Sequence, residues 1–165
     1  MHHPLWSNLF RDRHDWVKKT STMCEQNPLF TDVSSQSIRW LASRMHLRRY
    51  DKDEVVFRMG DPGAGAVLLL SGKVQIRVND VVVASLQQGD LFGEVALATN
   101  LPRTAEAVTM AASELVFFLR SDLKEWMETS PKQASKLLLN LANMLAHRLM
   151  QSNERYARTM PEIDT

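Results

Sequence analysis

Short apolar runs separated by turn residues occupy the middle of this 165-residue chain and leave few folds open to it. Runs rich in β-branched and apolar residues predict strands, here at residues 55–57, 67–70, 74–78, 81–86, 105–110 and 115–119. Between two of these runs, Asn79 and Asp80 predict a hairpin turn, because both residue types tolerate positive φ. The close spacing of the strands predicts a closed or nearly closed antiparallel β-roll from about residue 53 to residue 120.

Helical patterns precede the predicted roll. Residues 4–25 form an amphipathic pattern that ends before Pro28, since a residue that precedes proline avoids the helical conformation. A second helix is expected from Ser35 to Met45, with Ser34 as its N-cap.

Two further helices are expected after the roll. Ser121 or Asp122 is predicted to cap a short hinge helix. Ser130 is then a cap before Pro131, which suits the first position of a long helix that runs to about Tyr156. We therefore predict an α+β fold, mainly β: an antiparallel β-roll of the double-stranded β-helix or jelly-roll type, with N-terminal helices, a hinge helix and a long C-terminal helix.

These patterns predict one main domain with two short extensions. Residues 1–26 are expected to form an N-terminal helix, and residues 27–158 the domain itself, with its C-terminal helices at about 121–158. Residues 159–165 are expected to be a tail, and we expect no nucleic-acid-reading domain after the long helix.

Composition argues for a cytoplasmic protein without a membrane, nucleic acid or metal partner. Cys24 is the single cysteine, the net charge is only +1, and no apolar run approaches the roughly 20 residues that span a bilayer. None of the five histidines falls in the predicted roll, so a histidine-rich metal site is not expected there. No combination of residues typical of nucleophilic catalysis occurs in a plausible context, so we predict a protein that is not an enzyme. Four arginines are interpreted as a solvated face: Arg39, Arg44, Arg48 and Arg49.

One segment, residues 92–105, combines the groups that a sugar-phosphate ligand requires. Gly93 lets a ligand approach the backbone, and a helix start expected after Glu94 presents unpaired N–H groups. Glu94 accepts hydrogen bonds from hydroxyl groups, while Arg103 offers a planar set of donors to phosphate oxygens. Thr104 adds a hydroxyl group beside the arginine.

This segment resembles the phosphate-binding cassette of the cyclic nucleotide-binding domain family, and we refer to residues 92–105 as the cassette. The family pattern is F-G-E-x-A-L, a short spacer and P-R-[AST]-A, and this chain reads F-G-E-V-A-L, four residues, then P-R-T-A. The spaced glycines and the order of helices also agree, and the resemblance extends to the sensor domains of the Crp-Fnr family. Asn100 departs from the pattern, because many members have glycine there, although asparagine also tolerates the left-handed conformation.

The resemblance implies a cyclic nucleotide, cAMP or cGMP, as ligand and assigns a role to individual residues. Glu94 would accept the ribose 2′-OH and Arg103 would pair with the cyclic phosphate. Backbone groups in the cassette would complete the phosphate site. The implied ligand residues of the cassette are Phe92, Gly93, Glu94, Val95, Ala96, Arg103, Thr104 and Ala105.

The resemblance also implies a role for the long helix. In the Crp-Fnr sensor domains two residues of this helix contact the purine, and Ser152 and Asn153 occupy those positions here. Ser152 keeps the hydroxyl group, whereas Asn153 departs from the family's residue. A homodimer through this helix is implied, with ligand occupancy transmitted by the helix to an effector protein that the sequence does not identify.

Two alternatives remain open from the sequence. The chain could keep the fold as a ligand-free protein interaction module, in which Glu94 and Arg103 form a structural ion pair. The apolar positions of the long helix could pack on the chain's own roll rather than on a second copy; these positions are Ala134, Leu138, Leu141, Leu145 and Leu149.

Overall fold

The computed structural model describes the backbone of residues 4–159 and the side chains of residues 14–158. The helices are α1 (Pro4–Gln26), α2 (Ser35–Arg44), α3 (Val95–Ala98), α4 (Arg120–Thr129) and α5 (Pro131–Thr159), with a 3₁₀ turn at Pro28–Phe30. The strands are β1 (His46–Tyr50), β2 (Val55–Phe57), β3 (Gly65–Ser71), β4 (Val74–Val78), β5 (Val81–Leu86), β6 (Leu91–Phe92), β7 (Glu106–Thr109) and β8 (Ser113–Leu119).

The strands form two four-stranded antiparallel sheets, ordered β1-β8-β3-β6 and β2-β7-β4-β5. Helices precede these strands in the chain and follow them, and they flank the sheets. The predicted fold class is therefore confirmed. The β4–β5 turn is also as predicted, because Asn79 and Asp80 both have positive φ. No helix among the described residues combines the length and the apolar character needed to cross a bilayer.

Strand β3 is buried on both faces because it lies between two apolar cores. Ala66, Leu68 and Leu70 pack with the helices, including Leu41, Trp126 and Leu137. The residues between them, Val67 and Leu69, point instead into the roll between the two sheets. A strand covered on both sides has a continuous apolar sequence rather than an alternating one, as this stretch does.

The roll begins earlier than predicted, at β1 rather than near residue 53. This strand pairs with β8 although its sequence contains Arg48 and Arg49. Both arginines have partners on β8: the Arg48 guanidinium lies 5.5 Å from the ring centroid of Phe117, and Arg49 Nε donates to Glu114 Oε1 at 3.0 Å. These cross-strand contacts replace the apolar alternation by which a strand is recognised from sequence.

Helix α4 begins before the predicted cap. Its N-cap residue is Leu119, and the carboxylate of Asp122 accepts a hydrogen bond from the Leu119 backbone N–H at 2.9 Å. The prediction of Ser121 or Asp122 as the cap was therefore wrong by two or three positions. Asp122 nevertheless satisfies one of the N–H groups that a helix start leaves unpaired.

Helix α5 packs on its own domain along its first half and is exposed along its second half. Ala134 and Leu141 are buried, and Leu138 and Leu145 pack against the same helical core, whereas Leu149 is 62% exposed. The predicted apolar seam is therefore used within the chain for four of its five positions. The exposed large apolar residues among the described part of the helix are Leu139, Leu149, Met150 and Tyr156.

Polar contacts fix α5 to the N-terminal segment. Asn140 Nδ2 donates to the carbonyl oxygens of Leu29 and Thr31, at 3.0 and 2.8 Å. Lys136 Nζ donates to the Asp32 carbonyl oxygen at 2.5 Å. The helix extends through Thr159, the first residue of the predicted tail, and the other tail residues lie outside the described part of the chain. The predicted domain boundaries remain predictions.

Candidate functional site

The cassette forms one wall of a cavity of about 390 Å³. Other walls come from β2, β4 and β5, with one residue from α5; these residues include Phe57, Ile76, Ala84, Leu86 and Arg148. Every cassette residue implied as a ligand contact lines the cavity: Phe92, Gly93, Glu94, Val95, Ala96, Arg103, Thr104 and Ala105. Ser152 and Asn153 are exposed on α5 and are not lining residues.

A tight change of backbone direction places the cassette residues around the cavity. Strand β6 ends at Phe92, and Gly93 has a φ of +67°, which is the left-handed region that glycine occupies at little cost. The single turn of α3 follows from Val95, with Glu94 at its N-cap position. The Glu94 side chain makes no capping hydrogen bond to the helix, although Glu94 lines the cavity.

The space around position 93 also favours glycine, because a side chain there would meet Arg103. A Cβ atom added at this position would lie 2.5 Å from Nη1 of Arg103. Gly89 has a comparable φ of +92°, but a Cβ atom there would meet nothing within 4 Å. The two glycines therefore share the backbone requirement, and only Gly93 determines where an arginine side chain can lie.

Arg103 is held in the cavity wall by backbone carbonyl groups. Its Nη1 donates to Gly93 O at 3.0 Å and its Nη2 donates to Gly65 O at 2.8 Å. The guanidinium carbon lies 4.2 Å from the centroid of the Phe57 ring, a cation–π distance. The Nε atom is buried and has no hydrogen-bond partner.

Burial is the main influence on the charge of Arg103. Loss of hydration lowers the pKa of the Arg103 guanidinium, while the negative charges of Glu94 and Asp61 oppose that shift. A buried donor without a partner costs about 1–3 kcal/mol. An anion that reached this guanidinium would offset both penalties.

Glu94 is buried and pairs with the long helix. Its residue is 2% exposed, and its Oε1 accepts a hydrogen bond from Nη1 of Arg148, whose side chain is 55% exposed. The sequence alternative of a Glu94–Arg103 ion pair is therefore wrong in its choice of partner. The cation comes from α5, while Arg103 is held by carbonyl oxygens.

Arg148 was not among the predicted site residues. It lies on the long helix four residues before Ser152, and the sequence assigned no role to it. The physical reason for its role is that a buried carboxylate requires a cation, and the burial of Glu94 appears only in the fold. The remaining polar lining residue, Thr104, is exposed at the cavity rim. Among the described residues there is no cluster of His, Cys, Asp or Glu that could hold a metal ion.

Comparison with known proteins gives one family model and several similar proteins. A family model described as "Cyclic nucleotide-binding domain" matches residues 47–130, just over half of the chain. The Cyclic AMP receptor protein of Thermus thermophilus is 30% identical over 132 residues, covering 77% of this chain and 59% of that protein. Glutaminase 1 of Bradyrhizobium diazoefficiens is also 30% identical, over 138 residues that cover 83% of this chain and 22% of that enzyme.

A solved structure has the same fold. The crystal structure of a cyclic nucleotide-binding domain from Methylobacillus flagellatus superposes with a TM-score of 0.74 and 25% sequence identity. It covers 91% of this chain and 88% of that one. By contrast, the chain spans less than two thirds of the length of each of the two curated relatives named above.

Proposed function

Because the chain belongs to the cyclic nucleotide-binding domain family, we propose that its cavity binds a cyclic nucleotide, cAMP or cGMP. The protein would act as a regulatory or sensor module rather than as an enzyme. Arg103 would pair with the cyclic phosphate, and Glu94 would accept the ribose 2′-OH. The Thermus relative is named for cyclic AMP, which supports a cyclic nucleotide as ligand class.

The half-buried guanidinium of Arg103 is the observation that carries this proposal. It keeps Nε without a partner in the wall of the cavity, where an oxyanion would supply the missing acceptor. Glu94, an acceptor when ionised, lines the same cavity and suits a hydroxyl donor. A ligand that joins a phosphate to a hydroxyl-bearing sugar satisfies both groups.

The rest of the cavity suits a nucleoside. Its volume of about 390 Å³ lies within the range of small-molecule sites. Apolar side chains from three strands provide surfaces for a planar base, namely Ile76, Ala84, Leu86 and Leu91. Thr104 supplies a hydroxyl group at the rim, which either purine could use, so the choice between adenine and guanine is left to measurement.

We further propose that ligand binding acts on α5 through Arg148. Arg148 is the cation that neutralises buried Glu94. A ribose hydroxyl group at Glu94 would share or replace that contact, so the bound and free states would favour different positions of α5. Because Asn140 ties α5 to the 3₁₀ turn, the N-terminal segment would follow any such movement.

A homodimer through α5 is proposed from its exposed apolar residues, Leu139, Leu149, Met150 and Tyr156. Ser152 and Asn153 lie in the same exposed half of the helix, and they are proposed to reach a ligand only when a second chain is present. Sedimentation velocity at tens of micromolar should give a dimer for the wild type and a monomer for Leu149→Glu. A monomeric wild type would contradict this part of the proposal.

The effector is unidentified, and a cytoplasmic location remains a prediction from the sequence. The curated relatives are longer than this chain, so their complete activities are not transferred to it. Arg44 and Arg49, which the sequence placed on a solvated face, pair with Glu125 and Glu114. Those contacts reduce the basic character of that face, which supports a proposal without a nucleic acid partner.

Replacing Arg148 with glutamine should lower the stability of the protein without nucleotide. It should also uncouple α5 from ligand binding in the cavity. Loss of the charged hydrogen bond to buried Glu94 should lower the free energy of unfolding by about 1–3 kcal/mol in urea titrations. Hydrogen exchange should show that saturating nucleotide changes α5 amides in the wild type and leaves them largely unchanged in the variant. Arg155→Gln, an exposed change on the same helix, is the control; an equal α5 response in Arg148→Gln would contradict the coupling.

Replacing Arg103 with alanine should abolish nucleotide binding. Isothermal titration of the wild type with cAMP and cGMP should give micromolar or tighter binding to at least one, and Arg103→Ala should weaken it by at least about 100-fold, as expected for two charged hydrogen bonds. Arg58→Ala, a change at an exposed arginine nearby, should bind normally.

Gly93→Ala tests the same site without removing the arginine. A methyl group there displaces Arg103, so binding should fall much further than in Gly89→Ala, which carries the same backbone strain in open space. Wild-type protein that gives no heat with either nucleotide would favour the ligand-free interaction module instead.

A further inference from the structure

Arg120, the first residue of α4, joins three parts of the chain beside the cavity. Its Nη1 donates to the Thr99 carbonyl oxygen at 2.6 Å and also to Oδ1 of Asn100. Its Nη2 donates to the Gly63 carbonyl oxygen at 2.5 Å, and its backbone N–H donates to Ala64 O at 2.8 Å. One side chain therefore links the loop after α3, the β2–β3 loop and the start of α4.

The loop that Arg120 holds is the loop that lines the cavity. Leu101, Pro102, Arg103 and Thr104 follow Asn100 directly, and all four are lining residues. Backbone bonds attach the same loop to the β2–β3 loop, since Arg103 N donates to Asp61 O and Gly60 N donates to Arg103 O, both at 2.8 Å. These backbone bonds do not join the loop to a helix. Arg120 adds that connection, because it is the first residue of α4.

Asn100 takes part through its side chain rather than its backbone. Asparagine stands here where many family members have glycine, and it was expected to tolerate the left-handed conformation as well. Among the described residues, the non-glycine residues with positive φ are Asp32, Asp53, Asn79 and Asp80, so Asn100 does not use that conformation. The amide oxygen of Asn100 accepts from Arg120, and a glycine at this position would provide no such acceptor.

We propose that Arg120 and Asn100 are positioning residues that hold the cavity-lining loop and convey ligand binding to α4. This inference rests on the proposed function and adds a second connection, distinct from the Glu94–Arg148 contact to α5. A ligand that draws Arg103 toward its phosphate moves the loop after α3. Because Arg120, in the first turn of α4, is hydrogen-bonded to that loop, the start of the helix moves with the loop.

The experiment measures hydrogen exchange of α4 amides with and without saturating cAMP or cGMP, whichever binds the wild type more tightly. Asn100→Gly removes the acceptor at an exposed loop position, and Asn100→Asp retains an oxygen that can accept from Arg120. Arg120→Lys keeps the charge but not the planar set of donors. Lys124→Gln, a change farther along α4 at an exposed position, is the matched control.

We expect Asn100→Gly and Arg120→Lys to bind nucleotide about tenfold more weakly, the loss expected for one hydrogen bond to a charged group. At saturation, both should have lost the α4 response, which Asn100→Asp and Lys124→Gln should retain. In the double variant, the effects of Asn100→Gly and Arg120→Lys on affinity should be less than additive, because both remove the same contact.

The failures of the two proposals can be told apart. Wild-type protein that binds neither nucleotide overturns the proposed function and this inference with it. Wild-type protein that binds, together with an unchanged α4 response in Asn100→Gly, overturns this inference alone. Loss of the response in Asn100→Asp as well as in Asn100→Gly would also contradict it, because the acceptor oxygen would then be irrelevant.

Discussion

A buried carboxylate that requires a cation connects the cavity of this protein to its longest helix. Glu94 lies at 2% exposure in the wall of the roll, and Arg148 reaches it from α5. An unpaired charge at that depth would be costly, so Glu94 depends on the cation that α5 supplies. The helical core reinforces this arrangement, because α5 also buries Leu137 and Leu141 against the domain.

Arg103 places a positive charge in the cavity wall, and the surrounding backbone fixes the position of that charge. Two carbonyl oxygens and an aromatic ring hold the guanidinium, yet they leave Nε buried without an acceptor. Gly93 makes this placement feasible, because any side chain there would occupy the space of the arginine. Carbonyl groups orient the cation without neutralising its charge, which remains available to a ligand.

The sequence predicted the features that depend on local patterns. β-Branched runs and turn residues predicted most strands, and the cassette motif identified eight residues that the structure brings to one cavity. Strand β1 was missed because its arginines find partners across the sheet, at Phe117 and Glu114. Such pairing depends on residues far away in the chain, and periodicity in one segment cannot show it.

The residues that link secondary-structure elements could also not be predicted from the sequence. Arg148 and Arg120 are ordinary surface-type residues in helical sequence, and their roles follow only from what lies opposite them in the fold. Asn100 was noticed as a departure from the family pattern, but the sequence did not show that its amide oxygen accepts from Arg120. Ser152 and Asn153 are exposed and lie outside the cavity lining, so their contact with a ligand stays a proposal.

Thermal unfolding of the full chain with a set of nucleotides tests the central claim most directly, which is that one ligand satisfies Arg103 and Glu94 together. A ligand at 100 times its dissociation constant adds about 2.7 kcal/mol of stability. For a chain of this length, that corresponds to a rise in Tm of roughly 5–10 °C. We predict such a rise with cAMP or cGMP, and a much smaller one with 5′-AMP or adenosine at equal concentration. Unchanged melting with both cyclic nucleotides at millimolar concentration, or an equal rise with 5′-AMP, would contradict the account.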